Sequence, residues 1–148
     1  MMTMKKKLSM AAAAVLFGVC AIPMVASAHR WSPGLTFYAA TPSCWSQSNG
    51  SMTNTCSTSQ NIYLPATMDH YDVTSDGGVA VSTASGTQIT CYGFGEYETG
   101  GTTTSVHASS PGPGYSYISL PGQYSPWAML YRCTVPTGGT ILSFDYDQ

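Results

Sequence analysis

The sequence predicts an all-β protein, an antiparallel β-sandwich or jelly-roll-like single domain with two disulfides. Short segments that alternate apolar and polar residues recur along the chain, separated by Gly, Pro, Asn and Ser. Charged residues make up only 8% of the chain, and hydroxyl and amide side chains do the solvating instead, a common profile of secreted all-β proteins. Four cysteines remain once an N-terminal export signal is set aside.

The N-terminus has the features of a bacterial Sec signal peptide. Lys5, Lys6 and Lys7 form the positive end, an apolar stretch covers residues 9–24, and small residues precede a cleavage point after Ala28. The apolar stretch is too short to span a membrane comfortably. We therefore expect residues 1–28 to be removed and residues 29–148 to form one secreted domain, with no membrane insertion after signal removal.

The charge of the mature chain excludes several classes of partner. Removing the signal leaves two arginines, Arg30 and Arg132, against seven acidic residues, so the net charge becomes −5 with the histidines neutral. Such a chain has no basic surface for phosphate backbones. We expect no nucleic acid and no anionic membrane among its partners.

The four cysteines of the mature chain are Cys44, Cys56, Cys91 and Cys133. An even number in an exported chain of this size indicates disulfides, because the compartment is oxidising and a small core benefits from cross-links. Three pairings are possible, and we favour Cys44 with Cys56 and Cys91 with Cys133. Close paired spacing typical of zinc sites is absent, so no metal is predicted at these cysteines.

The alternation of side chains predicts seven short strands. Their bounds are 35–40, 60–64, 79–83, 88–97, 115–120, 127–135 and 140–146.

In the N-terminal half, Pro and Gly mark the predicted boundaries. The first strand ends before Pro42, and Pro65 ends the second. The segment between Cys44 and Cys56 consists largely of Ser, Gln, Asn and Gly, so it is predicted to be a surface loop closed by its own disulfide. A turn over residues 76–78 is predicted to precede the third strand.

The fourth strand carries Cys91 on one face and Tyr92 and Phe94 on the other. Gly93 and Gly95 lie on the cysteine face, which predicts a bulge or the close approach of another segment there. Residues 98–114 are nearly all Gly, Thr, Ser and Pro, and we expect a mobile exposed loop.

The C-terminal strands are predicted to supply much of the core. Strand 115–120 turns Ile118 and Leu120 inward and is broken by Pro121 and Gly122. Strand 127–135 is apolar on both faces, which is typical of a central strand. In strand 140–146 the side chains predicted to point inward are Leu142, Phe144 and Tyr146, with Ser143 and Asp145 pointing outward.

Two C-terminal segments resemble a loosely defined group of small exported, disulfide-containing bacterial proteins of unknown function. The resemblance is carried by Cys91 at the end of one strand, by residues 131–136 and by the closing residues 141–146. In that group a strand ends in Cys, two residues and Pro, and the chain stops one hairpin later. The resemblance covers the C-terminal two-thirds of the mature chain and implies secretion and an all-β fold, without supplying a site.

The resemblance does not extend to the first disulfide. The group tends to place a cysteine directly before the proline of an early strand, whereas this chain has Leu64 before Pro65 and a cysteine at Cys56 instead.

No catalytic motif emerges, and no enzyme is predicted. The serines show no nucleophile elbow, and the histidines, His29, His70 and His107, have no partners recognisable in sequence. Two carboxylate pairs lie two residues apart, Glu96 with Glu98 and Asp145 with Asp147. Solvated outward acids explain them more simply than a glycosidase pair does.

No cofactor or metal is predicted either. Asp69, Asp72 and Asp76 are close in sequence, but their spacing matches no calcium loop, so a solvated acidic turn is the simpler interpretation. A copper site at His29 would need a second histidine placed by the fold.

Aromatic residues are the remaining feature with functional meaning. Flat rings with polar rims near loop edges can stack on sugar rings or anchor a protein, although Tyr is also an ordinary strand former. The candidate binding residues are Trp45, Tyr97, Tyr115, Tyr117, Tyr124 and Trp127.

The sequence is compatible with three functions. The favoured function is a secreted non-enzymatic binding module for an extracellular polysaccharide or cell-envelope polymer. One alternative is an effector or inhibitor that presents a loop, residues 44–56 or 98–114, to a protein partner. The other is a matrix component that self-associates through exposed strand edges.

Overall fold

Strands account for nearly all of the regular structure in the described part of the chain. The computed structural model describes residues 30–33, 38–66, 73–83, 87–103 and 105–147. Within these ranges it confirms an antiparallel β-sandwich with two disulfides. The predicted signal peptide lies outside the described residues, and the described residues include no helix of the length and apolarity needed to cross a membrane.

Eleven strands make up the described part of the sandwich. They are β1 (Arg30–Pro33), β2 (Tyr38–Ala39), β3 (Trp45–Ser48), β4 (Ser51–Asn54), β5 (Gln60–Ala66), β6 (Val73–Thr83), β7 (Thr90–Glu96), β8 (Val106–Ser109), β9 (Gly114–Ser125), β10 (Ala128–Val135) and β11 (Thr140–Tyr146).

The strands form two sheets with nested pairing. Sheet A has the order β3-β4-β11-β6-β9, with β1 also paired to β11, and sheet B has the order β2-β5-β10-β7-β8. From β4 to β11 the pairs are nested, so that the outermost strands of this segment pair with each other, and so do the next ones inward. The pairs are β4 with β11, β5 with β10, β6 with β9 and β7 with β8. Nested pairs divided between two sheets are the jelly-roll arrangement.

The core lies between the sheets and is built from the inward side chains of both. Its fully buried members from sheet B are Ile62, Leu64, Cys91, Met129, Tyr131, Cys133 and Val135, and those from sheet A are Val79, Val81, Ile118, Leu120, Ile141 and Phe144. The predictions that Ile118 and Leu120 point inward and that β10 is central are confirmed.

Both favoured disulfides are present. Cys91 and Cys133 are directly opposite each other on the neighbouring strands β7 and β10, and both are fully buried. Cys44 and Cys56 close the base of the β3–β4 hairpin. The buried amide of Asn54 holds that hairpin to the rest of the sandwich, since its Nδ2 donates to the carbonyl oxygens of Thr58 and Val135, each at 2.9 Å.

The segment predicted as a disulfide-closed surface loop is instead a β-hairpin that extends sheet A. Trp45 pairs with Asn54 at its base, and Asn49 and Gly50 form its turn with φ of 48° and 80°. Asn-Gly is the preferred sequence for a two-residue hairpin turn because both residues must adopt positive φ. The prediction of a loop followed from the overall Ser, Gln, Asn and Gly content of the segment and did not consider this Asn-Gly turn.

The turn predicted over residues 76–78 is wrong, because β6 runs through it without interruption. The two glycines make room for tyrosines instead. A Cβ at Gly77 would lie 2.0 Å from the Tyr131 hydroxyl oxygen, and one at Gly78 would lie 2.4 Å from the Tyr117 ring. Glycine in a strand interior is typical of such close approach.

Two of the prolines expected to end strands, Pro65 and Pro121, lie within strands. Pro65 pairs with Leu130 of β10, while β2 reaches only Tyr63 and Ile62, so no described strand covers the other side of Pro65. Pro121 belongs to a bulge in β9, opposite Asp76, where the pairing with β6 shifts register. Proline has no backbone N–H to donate to a neighbouring strand. It is therefore tolerated at sheet edges and bulges, where no strand partner requires that hydrogen bond.

Two further strand predictions need correction. Residues 98–114 contain the strand β8, which pairs with β7 and closes one edge of sheet B. In β11 the predicted inward positions of Phe144 and Tyr146 are confirmed, but a register shift at Leu142 leaves Ile141 fully buried in place of Leu142, and Asp145 is buried as well. Residues 34–37, which belong to the first predicted strand, lie outside the described part of the chain.

Candidate functional site

The outer face of sheet B concentrates aromatic side chains in a row that crosses all five strands. Strand registers place Tyr38, Tyr63, Arg132, Tyr92 and His107 side by side, one from each strand. We call these five residues the aromatic row. With strands about 4.8 Å apart, it spans about 19 Å.

Direct contacts join neighbouring members within each half of the aromatic row. The rings of Tyr38 and Tyr63 lie 6.3 Å apart in a tilted arrangement, and Tyr92 stacks on His107 at 5.4 Å. Between the two pairs, the Arg132 guanidinium carbon lies 4.8 Å from the centre of the Tyr92 ring, within the range of a cation–π interaction. The row therefore consists of two ring pairs with one cation between them, stacked on Tyr92.

A second, apolar row lies beside the aromatic row. Pro65, Leu130 and Phe94 are register partners on β5, β10 and β7. Pro65 and Leu130 join Tyr38 and Tyr63 around an open groove of about 270 Å³ whose exposed lining is apolar. This groove can take a flat, weakly polar surface such as the face of a sugar ring.

A polar pocket adjoins the row on the other side of Arg132. We call it the arginine pocket; its volume is about 270 Å³, and it is lined by Tyr92, Phe94, Thr102, Thr103, Ser105 and Arg132. Thr103 also has a structural role, because its hydroxyl donates to the carbonyl oxygen of Tyr124 at 3.0 Å. The pocket therefore offers ring edges, hydroxyls and a guanidinium within one cavity.

A third row of hydroxyls and amides borders the aromatic row. Thr134 donates to Asn61 at 2.8 Å, and the hydroxyls of Thr90 and Ser109 lie 2.7 Å apart. The strands of sheet B carry a single acidic residue, Glu96, in register with Ala128. The face thus has aromatic and apolar side chains around one arginine at its centre, hydroxyls and amides along one margin, and a single carboxylate, Glu96, on its strands.

The six residues predicted to bind do not come together on one surface. Trp45 begins β3 in sheet A and is partly buried against the core. Tyr115, Tyr117 and Tyr124 all lie on β9, also in sheet A. The prediction that these residues bind a ligand stays a prediction.

Tyr97 and Trp127 are the two predicted residues near sheet B. Tyr97 follows the last residue of β7, and Trp127 precedes β10, so the register of Glu96 with Ala128 brings both to the same end of the sheet. Each is 45% exposed. They lie beyond the strand ends and are not members of the aromatic row.

Tyr117 has a structural role that its exposure conceals. Its ring crosses Gly78, and its hydroxyl donates to the carboxylate of Asp145 on β11. Burial raises the pKa of Tyr117, and the hydrogen bond to Asp145 raises it further. This tyrosine is held against sheet A through its polar end.

Sequence reasoning missed most of the aromatic row. The alternation in β7 and β10 places Tyr92, Phe94 and Arg132 on the face opposite the cysteines, and the structure confirms that division. The sequence does not determine the strand order and register of sheet B. The alignment of Tyr38, Tyr63 and His107 with Tyr92 and Arg132 could therefore not be predicted.

The acidic candidates are dispersed. Asp69 and Asp72 lie outside the described residues, and the Asp76 carboxylate accepts a hydrogen bond of 2.7 Å from the Gly122 N–H at the β9 bulge. Among described residues, no group of three or more His, Cys, Asp or Glu side chains is placed to hold a metal ion.

Comparison with models of known protein families found no match, and comparison with curated protein sequences found no relative. The resemblance of the C-terminal segments to small exported bacterial proteins therefore stays a prediction. The functional interpretation depends on the geometry of the aromatic row and its pockets.

Proposed function

We propose that the protein is a secreted, non-enzymatic binding module that holds an extracellular or cell-envelope polysaccharide on the outer face of sheet B. The observation that carries this proposal is the aromatic row, in which five register-aligned side chains form one surface across the sheet. Sugar rings have apolar faces and polar rims, and aromatic side chains offer matching surfaces.

The layout of the face favours a long ligand over a small one. The apolar groove at Tyr63 and Leu130 and the arginine pocket at Tyr92 lie on either side of β10. Both are open and shallow, whereas sites for small molecules usually enclose most of the ligand. A chain of sugars could occupy both at once, and repeated weak contacts then add to a useful affinity.

The two disulfides support the secreted location, because such bonds form and persist in oxidising compartments. Lectin domains are among the proteins that use the jelly-roll arrangement. That is an analogy of fold, and the assignment of function depends on the site.

The test is retention of the purified, oxidised protein on a panel of insoluble polysaccharides and peptidoglycan. We expect selective retention of wild type on at least one polymer. We also expect at least a roughly ten-fold loss of affinity in Tyr92→Ala, since this ring contacts both Arg132 and His107. No retention on any polymer, or unchanged retention of Tyr92→Ala, would contradict the proposal.

The loop-presenting alternative has less support, since each of its two segments contains β-structure. Residues 45–54 form the β3–β4 hairpin, and β8 occupies part of 98–114.

A second candidate function, self-association, is favoured by the edge strand β9. Among described strands β9 pairs only with β6, and its residues 114–120 contain no charge and no proline. The bulge at Pro121 interrupts the pairing of β9 with β6. Beyond it, the Thr103 hydroxyl donates to the carbonyl oxygen of Tyr124. The part of the β9 edge without a neighbouring strand therefore ends near Leu120. An uncharged open edge of this length suits pairing with the same strand of a second copy.

Sedimentation over a range of protein concentrations tests this candidate. Self-association through β9 predicts concentration-dependent assembly that Ser119→Lys abolishes, because a charge on an edge strand opposes pairing. Ser46→Lys is the matched control, an exposed serine on β3 at the other edge of sheet A. A monomer at all concentrations, or equal effects of both substitutions, would contradict it.

A further inference from the structure

The cation at the centre of the aromatic row points to the charge of the ligand. We propose that the bound polymer is an anionic glycan, whose carboxylate or phosphate group pairs with Arg132 while its sugar rings contact Tyr63 and Tyr92. This inference rests on the proposed function and specifies the class of polymer that the same face takes.

Arg132 carries a positive charge with no negative partner among the described residues. Its guanidinium lies over the face of the Tyr92 ring, and its Nε is buried without a hydrogen-bond partner in the described part of the chain. Glu96 is the acidic residue on the strands of sheet B. It pairs with Ala128, four residues along β10 from Arg132, which is about 13 Å.

An arginine in this position is unusual for so acidic a chain. Apart from the predicted signal peptide, the sequence has two arginines and no lysine against seven acidic residues. Such a charge would ordinarily be paired with one of those acids. It lies instead between two tyrosines, Tyr63 and Tyr92, its register partners on β5 and β7.

The planar guanidinium is suited to an oxyanion. Its N–H groups can donate two parallel hydrogen bonds to a carboxylate or phosphate, and stacking on Tyr92 fixes the plane from which they project. Thr102 and Ser105 line the same pocket and add hydroxyls that can bind sugar oxygens. A cationic ligand would meet repulsion at this point.

The acidic residues elsewhere on the protein do not cancel this local attraction. At physiological ionic strength, interactions between exposed charges fade beyond about 8 Å. Glu96, the acidic residue on the strands of sheet B, is four strand positions from Arg132, about 13 Å along the backbone. Recognition of the anion therefore depends on the short-range pair with Arg132, and it should weaken as salt is added.

The experiment measures binding of the oxidised protein to polygalacturonate, to its fully methyl-esterified form and to poly(glycerol phosphate). The first two polymers share one backbone and differ in the carboxylate charge. We expect wild type to prefer an anionic polymer over the neutral ester by at least about ten-fold, and Arg132→Gln to remove that preference. Arg132→Lys, which keeps charge but loses the planar fork, should fall between them.

Each outcome decides a distinct point. Preference for polygalacturonate identifies a carboxylate, and preference for poly(glycerol phosphate) identifies a phosphate. Equal binding of acid and ester, with Arg132→Gln unchanged, overturns this inference and leaves polysaccharide binding standing. No binding to these three polymers or to any polymer of the wider panel overturns the proposed function. Thermal unfolding of each variant confirms that Arg132→Gln is folded before its binding is compared.

Discussion

The two outer faces of the sandwich both display tyrosines, but they use them differently. On sheet A, Tyr117 lies over Gly78, and its hydroxyl donates to the buried carboxylate of Asp145. On sheet B, the rings of Tyr63 and Tyr92 flank Arg132, a cation without an acidic partner among the described residues.

This difference shows that exposure alone does not identify a binding tyrosine. Tyr117 is 43% exposed, yet a glycine beneath its ring and a carboxylate at its hydroxyl hold it to the sheet. What distinguishes sheet B is that its rings are register neighbours of one another. A stabilising tyrosine should affect folding when it is removed, whereas a binding tyrosine should affect retention.

The largest effect is expected from the disulfide beneath the aromatic row. Cys91 and Cys133 are the chain neighbours of Tyr92 and Arg132, and the closed loop spans 42 residues. Replacing both cysteines by Ala should lower the free energy of unfolding by about 4 kcal/mol, compared with about 3 kcal/mol for the Cys44 and Cys56 pair. Urea unfolding measures both, and a larger loss for the Cys44 and Cys56 pair would contradict this ranking.

A large effect on sheet A is expected from Gly78→Ala. The added Cβ would lie 2.4 Å from the Tyr117 ring and 2.6 Å from the carbonyl oxygen of Ile118. The ring can swing away only by leaving Asp145, and the backbone carbonyl cannot move cheaply. We expect a loss of about 2 kcal/mol in urea unfolding. Unchanged stability would show that Tyr117 is not held as described.

Removing the hydroxyl of one tyrosine on each face should change the free energy of unfolding by different amounts. Tyr117→Phe removes a hydrogen bond to a charged group at a partly exposed site, so we expect a loss of about 1 kcal/mol. Tyr92→Phe keeps the ring that contacts Arg132 and His107, so its stability should change by less than about 0.5 kcal/mol. Equal losses in the two variants would remove the distinction between a stabilising and a binding tyrosine.

The smallest expected effect is a pH dependence at the alkaline end. Burial raises the pKa of Tyr117 and of Tyr131 above the ordinary value of about 10. The unfolded chain therefore loses these protons first, so their contribution to stability is complete below pH 10 and is lost as the pH rises above it. Tyr117→Phe should make the fall in stability above pH 10 shallower than in wild type, and an identical slope would contradict this.

The sequence was sufficient to predict the features of the fold that depend on alternation. The inward residues Ile118 and Leu120, the central position of β10 and both disulfides were correctly predicted. Glycine and proline led to wrong predictions of strand ends. Gly77, Gly78 and Pro65 lie inside strands, where residues of the adjacent strands accommodate them. Those neighbours are distant in sequence.

The candidate site was less predictable, because it depends on register between strands. Tyr63 and Arg132 are far apart along the chain, and pairing of β5 with β10 makes them neighbours. The criterion of aromatic residues near loop edges selected Tyr115 and Tyr117 of sheet A and passed over the aromatic residues within the strands of sheet B.

The most direct test of the central claim compares two tyrosines of equal exposure on opposite faces. Tyr38 in the aromatic row is 69% exposed and Tyr115 on β9 is 70% exposed. Retention on the polymer that wild type binds should fall several-fold in Tyr38→Ala and stay at the wild-type level in Tyr115→Ala. Loss in Tyr115→Ala with full retention in Tyr38→Ala would place the binding surface on sheet A and contradict the account.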